Sequence, residues 1–365
     1  MTRYAHITGW GMSVPEKVLT NEDLTKMVDT SDEWIRSRTG ISERRIAGPD
    51  QTTASLAVEA ALQALEFANV EPEKIDLIIV STSSPEHIFP ATACLVQDRI
   101  GATKAGAFDL SAACSGFIFA LNMATQAIRS GAVETALVIG SETLSRLVNW
   151  KDRETCILFG DGAGAFVLQA GDEPAGVLSC VMRSDGSGGD VLSVPGGGSK
   201  FPTSAETIYE GLHFIHMNGR EVYRFATRVM ASATREAVEG AQLTLADISL
   251  VIPHQANLRI IKAAAYGLDL PMDRFMVNVE RYGNTSTASI PIATCEAIQA
   301  GRIQPGDKIV LVGFGAGLTW GAAVVKWTGP FPTKRKVFPA RYRLLARIRS
   351  VLLRIVRRIE GLIWG

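Results

Sequence analysis

The sequence predicts an α/β fold built from two similar halves, and three observations support this prediction. Short apolar and β-branched runs, such as "GVLSCVM" and "KIVLVG", alternate with longer helical patterns, such as "TTASLAVEAALQALEFANV". This alternation is typical of strand–helix–strand units with buried sheets. An internal repeat with one constant offset relates the two parts of the chain. A hydrophobic content of 47% over 365 residues is sufficient for a large core.

The repeat is carried by two pairs of segments. "KIDLIIVS" (74–81) resembles "DISLVIPH" (247–254), since each is an apolar strand entering a polar loop. "AIRSGAVETALVIGSE" (127–142) resembles "AIQAGRIQPGDKIVLVGFG" (297–315), in which a helix precedes a buried strand that ends in glycine. If a pseudo-two-fold axis relates the halves, strand ends and helix starts from both converge on one crevice, where ligands bind. We therefore expect an N-terminal half over 1–172, a C-terminal half over 173–327 and an addition over 328–365.

Cysteine usage and the chain start limit the class of protein. The five cysteines are scattered, without a CxxC pair or a Cys/His cluster, which predicts reduced thiols and neither disulfides nor a metal site. The N-terminus lacks a signal-peptide profile, and no uncharged apolar run reaches about 18 residues, so we expect a cytoplasmic protein without nucleic-acid partners. Most cysteines and histidines are interpreted as packed or surface residues: Cys94, Cys156, Cys180 and Cys295 as packed, and His6, His87, His213 and His216 as either.

Cys114 is the exception among the cysteines. The stretch "DLSAACSGFIFAL" places it where an apolar strand meets a helix. A helix N-terminus is electropositive, so we expect it to stabilise the reactive thiolate. An isolated cysteine is more often a core residue than a nucleophile. Here the preceding small residues leave room for a substrate, and Gly116 permits a tight turn.

A histidine and an asparagine have similar settings. "VIPHQANLRII" ends a strand and places His254 at the start of a helix, and "NVERYGNTSTASIPIA" places Asn284 before another. Cys114 and Asn284 hold comparable places, each just before a helical run in its own half. A thiol, an imidazole and an amide suit acyl transfer, because the thiolate attacks while the other two donate hydrogen bonds to a developing oxyanion.

Over about residues 1–327 the sequence resembles the β-ketoacyl-acyl carrier protein synthase III enzymes of the thiolase superfamily. Seven segments resemble family segments in the family's order: "TSDEWIRSRTGISERRIA", "DLSAACSGF", "FGDGAGA", "HMNGREVYRFA", "PHQANLRI", "RYGNTSTASIP" and "GFGAGLTWGA". The resemblance implies a thiolase-like fold, with two pseudo-symmetric halves in a layered α-β-α-β-α core. It also implies a homodimer.

The resemblance implies a two-step reaction that initiates fatty acid or related acyl chain synthesis. Cys114 would take an acyl group from acyl-CoA as a thioester, and the enolate from decarboxylated malonyl-acyl carrier protein would attack it. His254 and Asn284 would stabilise the enolate oxygen. The backbone N–H groups of Cys114 and Ala316 would form a second oxyanion hole, and Phe314 would pack beside the thiol. Because the substrates' own carbonyls accept the electrons, no metal or bound cofactor is implied.

The resemblance also implies substrate contacts. Trp34 and Arg38 match the pair that sandwiches the CoA adenine, for which stacking and cation–π attraction are a physical reason; without the family, Trp34 is equally well a helix packing residue. Phe89 matches a residue donated across the dimer interface into the partner's acyl pocket. The remaining positions are the nucleotide contacts Thr30 and Arg153, the channel residues Tyr223 and Asn257, the pocket residues Leu144, Phe159 and Ile215, and the carrier-protein docking residues Arg224, Arg259 and Lys262.

The sequence departs from the family pattern in two places. Tyr266–Gly267 stands where many members are basic, which weakens the case for carrier-protein docking relative to acyl-CoA loading. Tyr223 replaces a common phenylalanine at the channel mouth. Two alternatives stay open: acyl transfer from Cys114 to an amine, an alcohol or a second CoA thioester, and a non-catalytic membrane-associated scaffold. The Cys/His/Asn set disfavours the scaffold, and the sequence leaves acyl chain length, pathway and final acceptor open.

The C-terminal addition differs from the rest in charge. Residues 330–365 hold ten basic residues and one acidic residue, which leaves 27 basic and 36 acidic residues before them. After the basic linker "PFPTKRKVFPARY", apolar residues form one stripe: Leu345, Ile348, Val351, Leu352, Ile355, Val356, Ile359, Leu362 and Ile363. Opposite lie Arg343, Arg347, Arg354, Arg357 and Arg358. A basic amphipathic helix over 341–365, ending near Trp364, is typical of a peripheral anchor on an anionic membrane; alternatively, the stripe packs on the protein's own dimer.

Overall fold

A computed structural model describes residues 3–329 and 338–364. The strands are β1 (Tyr4–Ser13), β2 (Val18–Thr20), β3 (Glu43–Arg45), β4 (Leu77–Ser81), β5 (Gly106–Leu110), β6 (Thr135–Thr143), β7 (Asp161–Gly171), β8 (Gly176–Ser184), β9 (Leu192–Ser193), β10 (His216–Met217), β11 (Leu250–Pro253), β12 (Lys308–Gly315) and β13 (Thr319–Lys326). The helices are α1 (Asn21–Thr25), α2 (Asp32–Thr39), α3 (Thr53–Ala68), α4 (Thr92–Ile100), α5 (Gly116–Arg129), α6 (Ala205–Tyr209), α7 (Gly219–Gly240), α8 (Leu258–Leu268), α9 (Val279–Tyr282), α10 (Ser289–Gln299) and α11 (Pro339–Trp364). The basic linker residues 330–337 and the side chains of Ile363 and Trp364 lie outside the described residues.

Two sheets carry the repeat. The first has the order β1-β7-β6-β4-β5 and the second the order β8-β13-β12-β11. In the first sheet, β7 is antiparallel to β1 and β6, and β6 is parallel to β4. In the second sheet, β13 is likewise antiparallel to β8 and β12, and β12 is parallel to β11. The second sheet has no strand equivalent to β5 among the described residues; in that place a single parallel bridge joins Val251 of β11 to Phe275. One and the same offset separates the starts of β4 and β11, of β6 and β12, and of α5 and α10.

The repeat extends to the turns before α5 and α10. Ala113 and Ser286, which the same offset relates, both have left-handed backbone conformations, with φ of 46° and 48°. Non-glycine residues adopt this region at a cost of about 1–3 kcal/mol, so the surrounding structure must hold both turns in place. The offset pairs Cys114 with Thr287, so Asn284 lies earlier in the equivalent turn and is not the counterpart of Cys114, as the sequence had suggested.

The layers are helix, sheet, helix, sheet and helix. α5 and α10 lie between the sheets and are apolar on several sides, because Phe117 and Ile290 share one core with residues of both sheets. α3 and α4 cover the outer face of the first sheet, and α7 and α8 cover that of the second. The predicted thiolase-like architecture is therefore confirmed, while the boundaries at 172 and 327 stay predictions.

Glycine allows a close approach between the halves. A Cβ atom on Gly140 in β6 would lie 2.5 Å from the carbonyl oxygen of Thr287 in the turn before α10. Any side chain there would separate the first sheet from this turn. The two turns that begin α5 and α10 therefore meet at the centre of the molecule.

Helix α11 packs against α3 and α4 through Ala346, which is 3% exposed, and through polar contacts on the same face. Arg343 pairs with Glu59, and Arg349 Nη1 lies 3.9 Å from Asp98 Oδ1. The apolar stripe faces outward instead, with Leu352 57% exposed. The predicted helix is present, but its stripe does not pack on the body of its own chain.

The five cysteines are free. Cys156 and Cys295 are buried and Cys180 is half-buried, in keeping with their interpretation as packed residues. The same interpretation is wrong for Cys94, which is exposed on α4 beneath α11. Among the described residues, no helix is both long and apolar enough to span a bilayer.

Candidate active site

One cavity of about 880 Å³ brings together most of the predicted site residues. Cys114, His254 and Asn284 line it together with Trp34, Arg38, Phe159, Tyr223, Arg224, Asn257, Arg259 and Phe314. Other predicted residues are not part of its lining: Thr30, Phe89, Leu144, Arg153, Ile215, Lys262 and Ala316. The three residues predicted to carry the chemistry therefore converge, although they are far apart in sequence.

The turn that carries Cys114 is held from both halves. Cys114 is 6% exposed and lies two residues before the start of α5. The neighbouring Ser115 hydroxyl donates to the Ala112 carbonyl at 2.9 Å and lies 2.8 Å from the Thr319 hydroxyl. A Cβ atom on Gly315 would lie 2.6 Å from the Cys114 backbone nitrogen, so only glycine lets β12 approach this closely. The cysteine is thus fixed at the interface of the halves.

The protonation state of Cys114 differs from the prediction. Burial raises the pKa of its thiol to about 12, and the hydrogen bond from Ser286 lowers it by less than burial raises it. Burial removes the hydration that a thiolate needs and so favours the protonated thiol. The thiol is therefore protonated in the free protein, and its proton must leave as the sulfur attacks.

His254 lies in the loop after β11, four residues before α8, and not at a helix start as predicted. Its Nδ1 atom is 2.6 Å from the Ser289 hydroxyl oxygen, and its ring meets Phe314 edge-on at 5.3 Å. Burial lowers the pKa of His254 to about 3, so the imidazole is neutral. Nε2 is buried and has no hydrogen-bond partner among the described residues. A Ser289 hydroxyl that donates to Nδ1 leaves the ring proton on Nε2, as a donor.

Asn284 is held by both its backbone and its side chain. Its backbone N–H donates to the Leu158 carbonyl at 2.8 Å, and its own carbonyl accepts from Gly160 at 3.0 Å. Its Oδ1 atom accepts a 2.8 Å hydrogen bond from the Ser286 backbone. Because this bond fixes the amide oxygen, the NH₂ group is on the opposite side as a donor. A thiol and two neutral N–H donors can thus serve one cavity, as acyl transfer requires.

Glu142 is a buried acid near the site and was not predicted from the sequence. It follows the apolar run of β6 and is 0% exposed. Its carboxylate accepts hydrogen bonds from the Ser83 and Ser84 backbones, at 3.1 and 3.0 Å, and from the Ser84 hydroxyl at 2.6 Å. Burial nevertheless raises the pKa of Glu142 to about 7. The available signal was an acidic residue shortly after an apolar run within the strand.

We expect Glu142 to make stability depend on pH. Its pKa is higher in the folded chain, about 7, than the reference value of 4.5, so the folded state holds the proton more strongly. The free energy of unfolding should fall by about 3 kcal/mol as pH rises through this window. Urea unfolding of wild type and Glu142→Gln between pH 5 and pH 8 measures this, since the difference between them isolates Glu142. A difference that stays constant across this range contradicts the prediction.

The cavity's outer end is built around Trp34. The guanidinium carbons of Arg38 and Arg153 lie 5.9 and 5.0 Å from the centre of its ring. The Arg153 side chain donates a 2.9 Å hydrogen bond to the Asp29 carbonyl. The backbone carbonyl of Arg38 accepts a 3.0 Å hydrogen bond from Asn257 Nδ2. Arg153 is therefore part of this aromatic–cationic cluster although it does not line the cavity.

The mouth of the cavity is basic. Arg38, Arg224 and Arg259 line it as predicted, and Arg220, which was missed, joins them. Glu154 is the carboxylate that lines the described part of this cavity. Arg220 stands in a quoted segment, "HMNGREVYRFA", and its position at a helix start was the available signal. Such a mouth suits a substrate that carries phosphate groups.

Some predicted pocket residues lie elsewhere. Leu144 and Ile215 belong to a buried cluster that also contains Phe159, beside the cavity. Phe89 is 84% exposed and cannot line the cavity of its own chain in this conformation. Lys262 is exposed on α8 outside the lining.

Known proteins with this sequence pattern share one description. A family model described as "3-Oxoacyl-[acyl-carrier-protein (ACP)] synthase III" matches residues 108–186, and its C-terminal counterpart matches residues 238–327. A β-ketoacyl-[acyl-carrier-protein] synthase III of Roseiflexus sp. strain RS-1 is 52% identical over 90% of this chain and 100% of its own. One from Symbiobacterium thermophilum is 56% identical over 88% and 97%, respectively.

A solved structure agrees with these matches. The crystal structure of 3-oxoacyl-[acyl-carrier-protein] synthase III from Aquifex aeolicus superposes with a TM-score of 0.82, at 47% identity, covering 88% of this chain and 100% of that one. The fold and the cavity define a thiolase-like condensing enzyme, an acyltransferase. The chain belongs to the β-ketoacyl-acyl carrier protein synthase III family, as the resemblance had implied.

Proposed function

We propose that the protein condenses an acyl-CoA starter with malonyl-acyl carrier protein to form 3-oxoacyl-acyl carrier protein, through an acyl thioester on Cys114. The observation that carries this proposal is the convergence in one cavity of the Cys114 thiol with two N–H donors, those of His254 and Asn284. The reaction starts fatty acid or related acyl chain synthesis. It draws only on protein groups and on the carbonyls of its substrates.

In the first step, Cys114 sulfur attacks the acyl-CoA carbonyl carbon. The carbon–sulfur bond to CoA breaks, and the thiol proton passes to the departing CoA sulfur. The tetrahedral oxyanion is held by the backbone N–H groups of Cys114 and Ala316. Support for this hole comes from Gly315, which brings the strand before Ala316 against the Cys114 backbone.

In the second step, the malonyl thioester loses carbon dioxide and becomes an enolate. His254 Nε2–H and Asn284 Nδ2–H donate to the enolate oxygen, which carries the developing charge. The enolate carbon then attacks the acyl carbonyl on Cys114, and the carbon–sulfur bond breaks to release the Cys114 thiolate, which takes a proton from solvent. A neutral imidazole suits this role, because a buried imidazolium would lack hydration.

Intact-mass measurement tests the proposal. The protein is mixed with a panel of acyl-CoAs and then with malonyl-acyl carrier protein. We expect an acyl adduct on Cys114 that disappears as the 3-oxoacyl product forms. The absence of an adduct with every acyl-CoA overturns the enzymatic hypothesis. An adduct that malonyl groups cannot discharge, but an amine or alcohol can, favours the alternative acyl transfer.

Trp34 and its arginines would hold the nucleotide of CoA. For Trp34→Ala we expect the KM for acyl-CoA to rise about tenfold with little change in kcat, because stacking on the adenine contributes about 1–3 kcal/mol. The control substrate is the corresponding acyl-pantetheine, which carries the same acyl group but lacks the adenine nucleotide. An equal rise in KM for both substrates would show that Trp34 only maintains the cavity.

The carrier protein would dock at the basic mouth through Arg224, Arg259 and Lys262, which are exposed. Arg259 lies 5.2 Å from the Tyr223 ring, so the channel residue and the docking residue are in contact. Tyr266, at a position where the family resemblance implies a basic residue in many members, is 91% exposed on α8. An acidic carrier protein fits a surface of this charge.

We propose that a second copy of the chain covers the edge of the first sheet. β5 is an edge strand, and Phe108 on it is 42% exposed. Phe89 is exposed nearby in sequence and would enter the partner's acyl pocket. Exposed edge strands of this kind are usually paired or covered. Light scattering should give twice the chain mass of 39.2 kDa, and a monomer would contradict this assignment.

We further propose that α11 holds the enzyme at the cytoplasmic face of an anionic membrane. The free cysteines suit a reducing compartment. Support for the membrane comes from the outward stripe, since Leu352, Ile355 and Ile359 are about half exposed beside a basic flank. The full chain should sediment with anionic vesicles, and a chain ending at Trp327 should not. Equal sedimentation of both contradicts the anchor.

A further inference from the structure

A second cavity of about 880 Å³ lies between α11 and α4, away from the active site. Six arginines line it: Arg99, Arg343, Arg347, Arg349, Arg354 and Arg357. Asp98 is the carboxylate that lines its described part. No step of the proposed reaction uses this groove, which we call the arginine groove.

Two of these arginines fasten α11 to the body. Arg343 pairs with Glu59, and Arg349 lies 3.9 Å from Asp98. Ser350 adds a hydrogen bond of 2.5 Å to Asp98. These contacts hold the helix over the groove without using its remaining charges.

Three other arginines are uncompensated. Arg347, Arg354 and Arg357 have no carboxylate partner within residues 3–329 and 338–364, although all three line the groove. Arg99 has a partner in Glu86, at 3.4 Å. Like charges that converge on one cavity repel each other, and a bound anion would remove this repulsion.

Guanidinium groups match the oxygens of a phosphate through paired hydrogen bonds. The other face of the same helix is apolar and exposed, with Leu352 57% and Ile359 50% accessible. A ligand that pairs with the arginines and also covers the apolar stripe needs a phosphate group next to acyl chains.

We infer that the arginine groove binds the phosphate of a glycerophospholipid headgroup, while the apolar stripe of α11 enters the same leaflet. This inference rests on the proposed membrane contact and makes that contact selective for lipids with a headgroup phosphate. The groove would recognise the headgroup phosphate itself, beyond the general attraction of a basic helix to a negative surface.

Two double variants of the full chain test this. Arg347→Gln/Arg354→Gln removes two of the three uncompensated charges of the groove but leaves the fastening pairs of Arg343 and Arg349 intact. Arg341→Gln/Arg358→Gln removes the same charge from the same helix outside the groove. On vesicles of equimolar phosphatidylglycerol and phosphatidylcholine, we expect the groove variant to bind about tenfold more weakly than its control. Equal weakening of the two variants overturns the inference.

Cys94 provides a second readout, because its free thiol lines the groove. We expect the vesicles to slow its alkylation by N-ethylmaleimide, measured by peptide mass, in the wild type but not in the groove variant. If the vesicles bind and Cys94 stays fully reactive, the membrane contact holds and the groove inference fails. If the vesicles do not bind but glycerol phosphate protects Cys94, the membrane contact fails and the groove serves a soluble phosphate, which overturns the lipid source.

Discussion

Replacing Cys114 with alanine is expected to abolish acyl-enzyme formation and to lower the condensation rate by at least about 10³-fold. The thiol is the group that the described part of the cavity offers for thioester formation, and alanine leaves no atom to attack. Because Cys114 is 6% exposed and small, alanine should preserve the turn and the fold. Intact mass after incubation with an acyl-CoA measures the loss directly, and thermal unfolding shows that the variant is folded.

Cys295→Ala is the matched control. Cys295 is buried in α10, within the central core, and does not line the cavity. This variant should acylate at the wild-type rate, with a modest loss of stability from the missing sulfur. An adduct of unchanged yield on Cys114→Ala, located on another cysteine, would remove Cys114 from the proposed mechanism.

His254→Ala and Asn284→Ala are expected to separate the two steps. Each variant loses one donor to the enolate oxygen, so condensation with malonyl-acyl carrier protein should slow by about 10²–10³-fold. Acyl transfer to Cys114 should be reduced much less, because the thiol and the backbone N–H groups remain. Single-turnover experiments that follow the acyl adduct and the release of carbon dioxide distinguish the steps.

Two comparisons make this prediction decisive. His216→Ala removes an exposed histidine outside the cavity and should change neither step. Ser289→Ala removes the 2.6 Å contact to His254 Nδ1 but leaves the imidazole in place. It should slow decarboxylation less than His254→Ala does and leave acylation unchanged. If His254→Ala and Asn284→Ala slow acylation as much as condensation, their assignment to the enolate is wrong.

The repeat made the layered fold predictable from the sequence. The strands β4 and β11 start within the predicted runs, and the offset between them holds for β6 and β12 as well as for α5 and α10. Local patterns suffice here, because apolar runs of strand length and helical periodicities are properties of short segments. The start of α8 was less predictable, since the loop from His254 to Asn257 has no distinctive pattern.

The chemical state of the site could not be read from the sequence. The rise in the pKa of Cys114 depends on how completely both halves exclude water from it. Glu142 was not predicted because an acidic residue after an apolar run is usually solvated, and only the fold shows it at 0% exposure. Burial and dielectric environment are properties of the assembled chain.

By itself the sequence determined the two-half α/β fold, the residues Cys114, His254 and Asn284, and the amphipathic pattern of α11, because each depends on residue type and spacing along the chain. Only the tertiary structure decided that the three residues share one cavity, that Cys114 is a protonated thiol and His254 a neutral donor, and that α11 leaves its apolar stripe exposed. The physical reason is that convergence, desolvation and the choice of packing face arise from contacts between segments distant in sequence.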